Sequence, residues 1–327
     1  MKALTATRYG GVEVLEMADV PVPLPGPGQV QVRIAAAGLN PADLRLVSGV
    51  FKESAPLTFP HVPGSDFAGT VTRVGEGVER FATGDEVFGL GLARSAGSMA
   101  SLLCSPPPFT TGTMAEYAVF EAATPAMALL PSGLPAEHAA TLPMAALTAL
   151  PLLRAWDFGQ GMKVLVVGAT GGVGGAVVPL LAARGVHVIA TAIPEDEAYA
   201  RRLGAAEVID YRSAELGPET LRRHPGGIDA LVNLALPGDA LPAVAPVVRP
   251  GGRLLNIAFP SPGPATGFET LYTAARPGDL EEVGGLAVKG VLPDTVGRRY
   301  RLEEAARAYA GLVREHVPGK IVVTAGR

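Results

Sequence analysis

Lys163-Val164-Leu165-Val166-Val167-Gly168-Ala169-Thr170-Gly171-Gly172-Val173-Gly174 is a Val-rich apolar run that breaks into glycines. The chain resumes as Ala176-Val177-Val178-Pro179-Leu180-Leu181-Ala182-Ala183. Together these read as a buried strand, a tight turn and a helix. Such a turn aims backbone N–H groups and the positive end of a helix at one point, which suits a phosphate. The stretch therefore points to a dinucleotide.

The spacing Ala169-x-Gly171-x-x-Gly174 fits the Rossmann fingerprint, with Ala in the first glycine position. Its setting between strand and helix gives the pattern weight. Ala169, Gly171, Gly172, Val173 and Gly174 are thus candidate cofactor contacts. The next strand, residues 186–191, ends where an NAD enzyme carries an acid for the ribose 2′-hydroxyl. Thr191 and Ala192 stand there instead. A carboxylate would repel a 2′-phosphate, so its absence favours NADPH, with Thr191 as a contact. Glu195, Asp196 and Glu197 follow closely and weigh toward NADH. Arg201 and Arg202 either reach back to a 2′-phosphate or are solvated helix charges.

The chain has 327 residues, comfortable for two domains, and 48% are apolar. The net charge of −4 argues against a nucleic-acid partner. Cys104 is the lone cysteine, which excludes an intrachain disulfide and suits a reducing cytoplasm. The N-terminal residues lack a signal-peptide pattern. Two stretches are uncharged. Residues 164–183 contain five glycines and a proline and parse as strand-turn-helix, and residues 95–115 contain Pro106-Pro107-Pro108. Neither reads as a membrane span.

The first part of the chain is rich in strands and turns. Val30-Gln31-Val32-Arg33-Ile34 alternates, and Phe67 to Val74 is a second strand. Beyond about Ala122 the texture changes to alternating units, with strands expected over 163–167, 186–191, 229–233 and 252–258 and helix over 197–203. Alternation of this kind predicts an α/β fold with a doubly wound parallel sheet. At the end, helix is expected over 278–290, strand over 297–301, helix over 302–314 and strand over 319–324. This tail is expected to rejoin the first domain. The expected division is 1–124 with 279–327, and 125–278.

Several motifs occur in order along nearly the whole chain. They are Gly38-Leu39-Asn40-Pro41-Ala42-Asp43, Pro60-His61-Val62-Pro63-Gly64-Ser65-Asp66-Phe67-Ala68-Gly69, Val74-Gly75-Glu76-Gly77-Val78 and Gly84-Asp85-Glu86-Val87-Phe88-Gly89. Ala115-Glu116-Tyr117, Leu147-Thr148-Ala149-Leu150, Leu203-Gly204-Ala205, Val208-Ile209-Asp210-Tyr211-Arg212 and Gly319-Lys320-Ile321-Val322 follow. The ordered set resembles the zinc-independent quinone oxidoreductases of the medium-chain dehydrogenase/reductase superfamily, the ζ-crystallin-like group. The resemblance implies a GroES-like β-rich catalytic domain beside the Rossmann domain, with NADPH bound in a cleft between them.

Zinc-dependent relatives place a Cys in the segment held here by Leu39-Asn40, and a His just after the equivalent of Gly64. Asn40 and Ser65 stand here instead. The five histidines (61, 138, 187, 224, 316) show no ligand spacing, so no metal is expected. The resemblance puts Asn40 beside the nicotinamide and the reacting centre; otherwise it is a loop amide holding a turn. Thr148 matches a Thr facing the nicotinamide, or packs its helix. Tyr211 matches a position near the adenosine phosphate, or ends a strand. Arg276-Pro277 resembles an Arg-Pro pair near the cofactor. Leu234, Ala235, Ala258 and Phe259 follow strand ends and should line the crevice.

Arg45 stands where some relatives carry Tyr, and Phe51 does likewise. Both bear on the substrate, which is expected to be a quinone or a similar enone. An enoyl thioester would want basic groups such as Arg45, Lys52 and Arg94, and a non-catalytic NADPH-binding redox sensor is the other reading. Residues 91–112 form a long connection, uncharged after Arg94, either a cap or dimer contact or a disordered loop. A homodimer is expected by analogy, with residues 267–272 as the pairing strand.

Overall fold

The computed structural model describes residues 1–326 and divides into two compact units. One comprises Met1–Leu147, Ala274–Lys289 and the chain from Asp294 onward; the other is Thr148–Thr273 with Gly290–Pro293. The first boundary falls later than position 124. Met127–Leu129 pairs antiparallel with Glu86–Leu90, which ties this segment into the first unit.

The first unit is built on the long strand Gln29–Gly38. Asp66–Val74 pairs along one edge of it. Tyr117–Glu121 pairs with the early half of its other edge, and the C-terminal strand Lys320–Thr324 with the late half. Val296–Arg301 lies parallel to that C-terminal strand, so the tail does rejoin the first unit. Two register shifts between Gln29–Gly38 and Asp66–Val74 bend the pair. Gly69 sits at one of them. A Cβ there would fall 2.2 Å from the Arg33 carbonyl oxygen, so only glycine permits the approach. The core gathers Leu4, Val32, Phe67, Phe120, Met127, Tyr309 and Val323. Phe67 and Phe120 stack with centroids 3.9 Å apart.

The second unit is a six-stranded parallel sheet. Its spatial order is Glu207–Asp210, His187–Ala192, Lys163–Val167, Ile228–Asn233, Val248–Asn256 and Glu269–Thr270. Strand order reverses between Lys163–Val167 and Ile228–Asn233, where a doubly wound sheet opens a ligand crevice. The strands and helices expected from residue 163 onward are all present, within a few residues at their ends.

Residues 91–112 are ordered. They form Leu92–Ala93, a short helical turn, the helix Gly97–Leu103 and Phe109–Thr110. Ala96 and Ala100 are fully buried, while Leu102 is exposed. Among the described residues, no helix is long and apolar enough to cross a membrane.

Candidate functional site

The glycine turn leaves the end of Lys163–Val167 and enters the helix Gly174–Ala182. Each glycine has its own reason. Gly168 has φ +81°, a left-handed backbone that disfavours side chains. A Cβ on Gly174 would fall 2.2 Å from the Ala169 carbonyl oxygen, so the helix start needs glycine to pack. Gly171 is different. Its φ is not positive, and a Cβ would meet only the Gly168 oxygen at an ordinary 3.5 Å. Neither backbone nor packing demands glycine there. Open backbone beside a helix N-terminus is the cradle a diphosphate requires, so these residues fit a dinucleotide.

Thr191 is buried, and its hydroxyl accepts the Gly168 N–H at 3.0 Å. Its side chain braces the turn from below. Leu234 and Ala235 lie beside the turn, since a Cβ on Gly168 would fall 2.8 Å from the Ala235 Cβ. Two buried asparagines shape this rim. Asn233 Nδ2 donates to Asn256 Oδ1 at 2.7 Å, and Asn256 Nδ2 donates to the Ala258 carbonyl at 3.0 Å. The loop ends carrying Leu234–Ala235 and Ala258–Phe259 are thereby tied together. Phe259 and Tyr211 are exposed. Thr148, within the helix Pro143–Arg154, shares a 2.7 Å hydroxyl contact with Thr273. Arg201 pairs with Glu197 and donates to the Ala206 carbonyl, as a solvated helix charge would.

In the first unit, Asn40 precedes the helix Pro41–Ser48 and belongs to a buried polar network. Lys320 Nζ donates to Asn40 Oδ1 at 2.5 Å and to Asp66 Oδ2 at 2.9 Å. Asn40 Nδ2 also donates to Asp66 Oδ2, at 3.0 Å. The other Asp66 oxygen accepts the Met144 N–H at 2.8 Å, near a helix start where anions are favoured. Asp43 accepts three bonds: from the Asn40 N–H at 2.9 Å, the Ser65 hydroxyl at 2.6 Å and the Tyr309 hydroxyl at 3.0 Å. Burial pushes the Asp43 carboxyl up to about 6, against the pull of the Ser65 and Asn40 bonds. Burial also raises the Tyr309 phenol well above its ordinary value, with the Asp43 charge adding to it.

Arg45 is half-buried on the same helix, and Phe51 packs on a small apolar cluster of Leu46, Ala55, Leu57 and Ala96. Arg94 pairs with Glu121 at 2.8 Å. Arg276 lies in the first unit, with its N–H bonded to Asp279. From sequence, Ser65 stands out only as replacing a zinc ligand, Asp66 and Lys320 only as motif letters, and Tyr309 only as part of the helix expected over 302–314. Lys320 stands at the head of the apolar run Ile321-Val322-Val323, a position that does not by itself tell a buried lysine from a surface one.

The two units together define a medium-chain dehydrogenase/reductase. Residues 26–132 match the alcohol dehydrogenase GroES-like domain and residues 203–323 the domain described as zinc-binding dehydrogenase. The chloroplast envelope quinone oxidoreductase homolog of Arabidopsis thaliana is 30% identical, over 99% of this chain and 98% of that one. The NADPH-dependent alkenal/one oxidoreductase of the same plant is 32% identical, over 99% of this chain and 79% of that one. The quinone oxidoreductase from Coxiella burnetii superposes with TM-score 0.86 at 27% identity, over 99% of both chains. A structure described as an NAD-dependent alcohol dehydrogenase gives TM-score 0.86 at 33% identity over the whole of both chains. The chain belongs to the quinone oxidoreductase family of the medium-chain dehydrogenase/reductase superfamily, and is an oxidoreductase.

The zinc implied by one domain description does not fit the residues around Asn40. They offer no thiolate or imidazole, and the Lys320 ammonium already sits between Asn40 Oδ1 and Asp66 Oδ2.

Three predictions follow from these geometries. Gly171→Ala should weaken binding of a nicotinamide dinucleotide, read by titration, and leave the urea midpoint unchanged. Gly174→Ala should lower that midpoint, by about 1–3 kcal/mol of stability. Lys320→Met should cost about 3–5 kcal/mol in urea unfolding, because it strands the buried Asp66. Lys320→Met combined with Asp66→Asn should cost less than the sum of the single changes.

The third concerns pH. Asp43 contributes stability fully below 3.8, and loses it as pH rises through about 6. Burial lowers His61 to about 4, so its contribution is full above 6.5 and lost as pH falls through about 4. The two oppose each other between pH 6.5 and 4. Across that window Asp43→Asn should lose more stability than the wild type on acidification, and His61→Leu less, in urea midpoints at matched pH.

Proposed function

We propose that this oxidoreductase uses NADPH to reduce a quinone or a similar activated carbonyl or alkene, without a metal. The observation that carries the cofactor is the turn 168–174, open at Gly171 and braced by the Thr191 hydroxyl. The strand His187–Ala192 ends without the acid that would select NADH. NADPH, when bound, supplies the hydride, and the acceptor's carbonyl oxygen gains negative charge.

The residues of this chain serve that step in distinct ways. Backbone N–H groups at the start of Gly174–Ala182 bind the diphosphate. Leu234, Ala235, Ala258, Phe259, Tyr211 and Arg276 are assigned to the cofactor's surroundings. Thr148 brings a hydroxyl, the kind of donor that stabilises a developing oxyanion. The Asn40 amide, gripped by Lys320 and Asp66, keeps the loop from residue 38 to 43 in one conformation. Arg45 and Phe51 are assigned to acceptor choice. The acceptor takes its proton from solvent. We assign the enzyme to the cytoplasm, as the lone buried cysteine suggests, and to a homodimer paired at the edge strand Glu269–Thr270.

Enone reduction is the second reading, favoured by the alkenal/one oxidoreductase relative. Cofactor oxidation followed with NADPH and with NADH, against matched quinones and enones, tests both. The expected result is NADPH oxidation by quinones at a rate well above NADH. Much faster turnover of enones would install the second reading. Tight NADPH binding with no oxidation by any acceptor would sink both and leave a redox sensor.

A further inference from the structure

Two histidines far apart in sequence meet at the other end of the parallel sheet from the glycine turn. His187 opens the strand His187–Ala192, and Glu207 opens its neighbour Glu207–Asp210. His224 ends the helix Leu216–Arg223. Strand starts and strand ends lie on opposite edges of a parallel sheet, so this cluster is outside the cofactor crevice.

Three donor atoms converge there. His187 Nε2 lies 2.6 Å from Glu207 Oε1, and His224 Nε2 lies 3.2 Å from the same oxygen. All three ligand atoms fall within 4.8 Å of one another. In a tetrahedral zinc site with bonds of about 2.0–2.2 Å, neighbouring ligand atoms stand about 3.3–3.6 Å apart, so only small side-chain shifts are needed.

His224 supplies the independent observation. Its side chain is 7% exposed, and its Nε2 makes no hydrogen bond, facing Glu207 Oε1 only as an ion-pair contact at 3.2 Å. A buried imidazole nitrogen without a hydrogen bond is costly unless something else satisfies it. A metal ion would do so. The mouth of the cluster is open, with the His187 side chain 38% and the Glu207 side chain 25% exposed. An ion can therefore enter and keep a water. Arg223 stands nearby, 3.7 Å from Glu207 Oε2, but Glu219 and the Val208 carbonyl hold its guanidinium. Glu219 thus offsets a cation that would oppose a metal.

We propose that His187, Glu207 and His224 form a divalent-metal site of zinc-binding chemistry. Two imidazoles and a carboxylate are a borderline-soft donor set suited to Zn²⁺. The ion would pin the end of Leu216–Arg223 to two strand starts, a structural clamp separate from hydride transfer.

Zinc and cobalt titrations of chelator-treated full-length protein decide it. Calorimetry should give one zinc per chain, and cobalt should give a visible absorption band. His187→Ala and Glu207→Gln should each weaken zinc at least about tenfold. Cys104→Ser should leave it unchanged, which excludes the thiol as the ligand. His187 is partly exposed, so its replacement should keep the fold, checked by circular dichroism and NADPH binding. Zinc should raise the melting temperature of the wild type and not of His187→Ala. No saturable binding in the micromolar range, or binding indifferent to both variants, overturns the proposal.

Discussion

The Lys320 ammonium, buried between Asn40 and Asp66, ties a late strand of the first unit to two of its earliest segments. Its two acceptors lie 280 and 254 residues away in sequence. One is on the loop before Pro41–Ser48, and the other begins the strand Asp66–Val74. A buried carboxylate in an apolar sheet is tolerable only when paired and fully hydrogen-bonded. Asp66 meets that condition through a lysine, an amide and the backbone N–H of Met144. Each partner comes from a different segment, so satisfying one charge fixes where four pieces of chain must lie.

Asp43 extends the same logic outward. It ties Asn40 to Ser65 and to Tyr309, the largest fully buried side chain of the unit's core. Apolar packing alone would let these segments slide, since Ala36, Ala37 and Gly38 offer little shape to grip. Polar geometry supplies the register that the small residues cannot. The second unit shows a smaller version. There Asn233 and Asn256 lock two strand ends through side-chain amides, and the loops beyond them are set by those bonds.

Most of the fold was legible because local pattern and global role agree. The run Lys163–Val167 followed by glycines has one sensible reading, and the alternation after it makes the parallel sheet unavoidable. Gly168 and Gly174 announce themselves by the turn they permit. What could not be read was the partner of each polar group. Thr191 was singled out for a position facing the cofactor, whereas its hydroxyl turns inward to the Gly168 N–H. Lys320 was visible only as a motif letter, because nothing local distinguishes a buried lysine from a surface one. His187 and His224 are separated by helix and strand, so their meeting at Glu207 depends on sheet order rather than spacing. Residues 91–112 lack strong periodicity, yet Ala96 and Ala100 are buried, and tertiary contact supplies the order that composition does not.

The discontinuity of the first unit has a consequence for synthesis. Thr148–Thr273 is nearly self-contained, so it can close as soon as it leaves the ribosome. Met1–Leu147 emerges earlier but waits, because Tyr309, Ile321 and Val323 of its core, and the cation for Asp66, are made after the second unit. For that interval Asp66 has no lysine and the late half of Gln29–Gly38 has an open edge. An unpaired edge is a template for association with other chains. Small residues at Ala36–Ala37–Gly38 leave that edge little side-chain surface to promote sticking. The sequence that completes the fold latest is thus matched by a waiting surface that is chemically quiet.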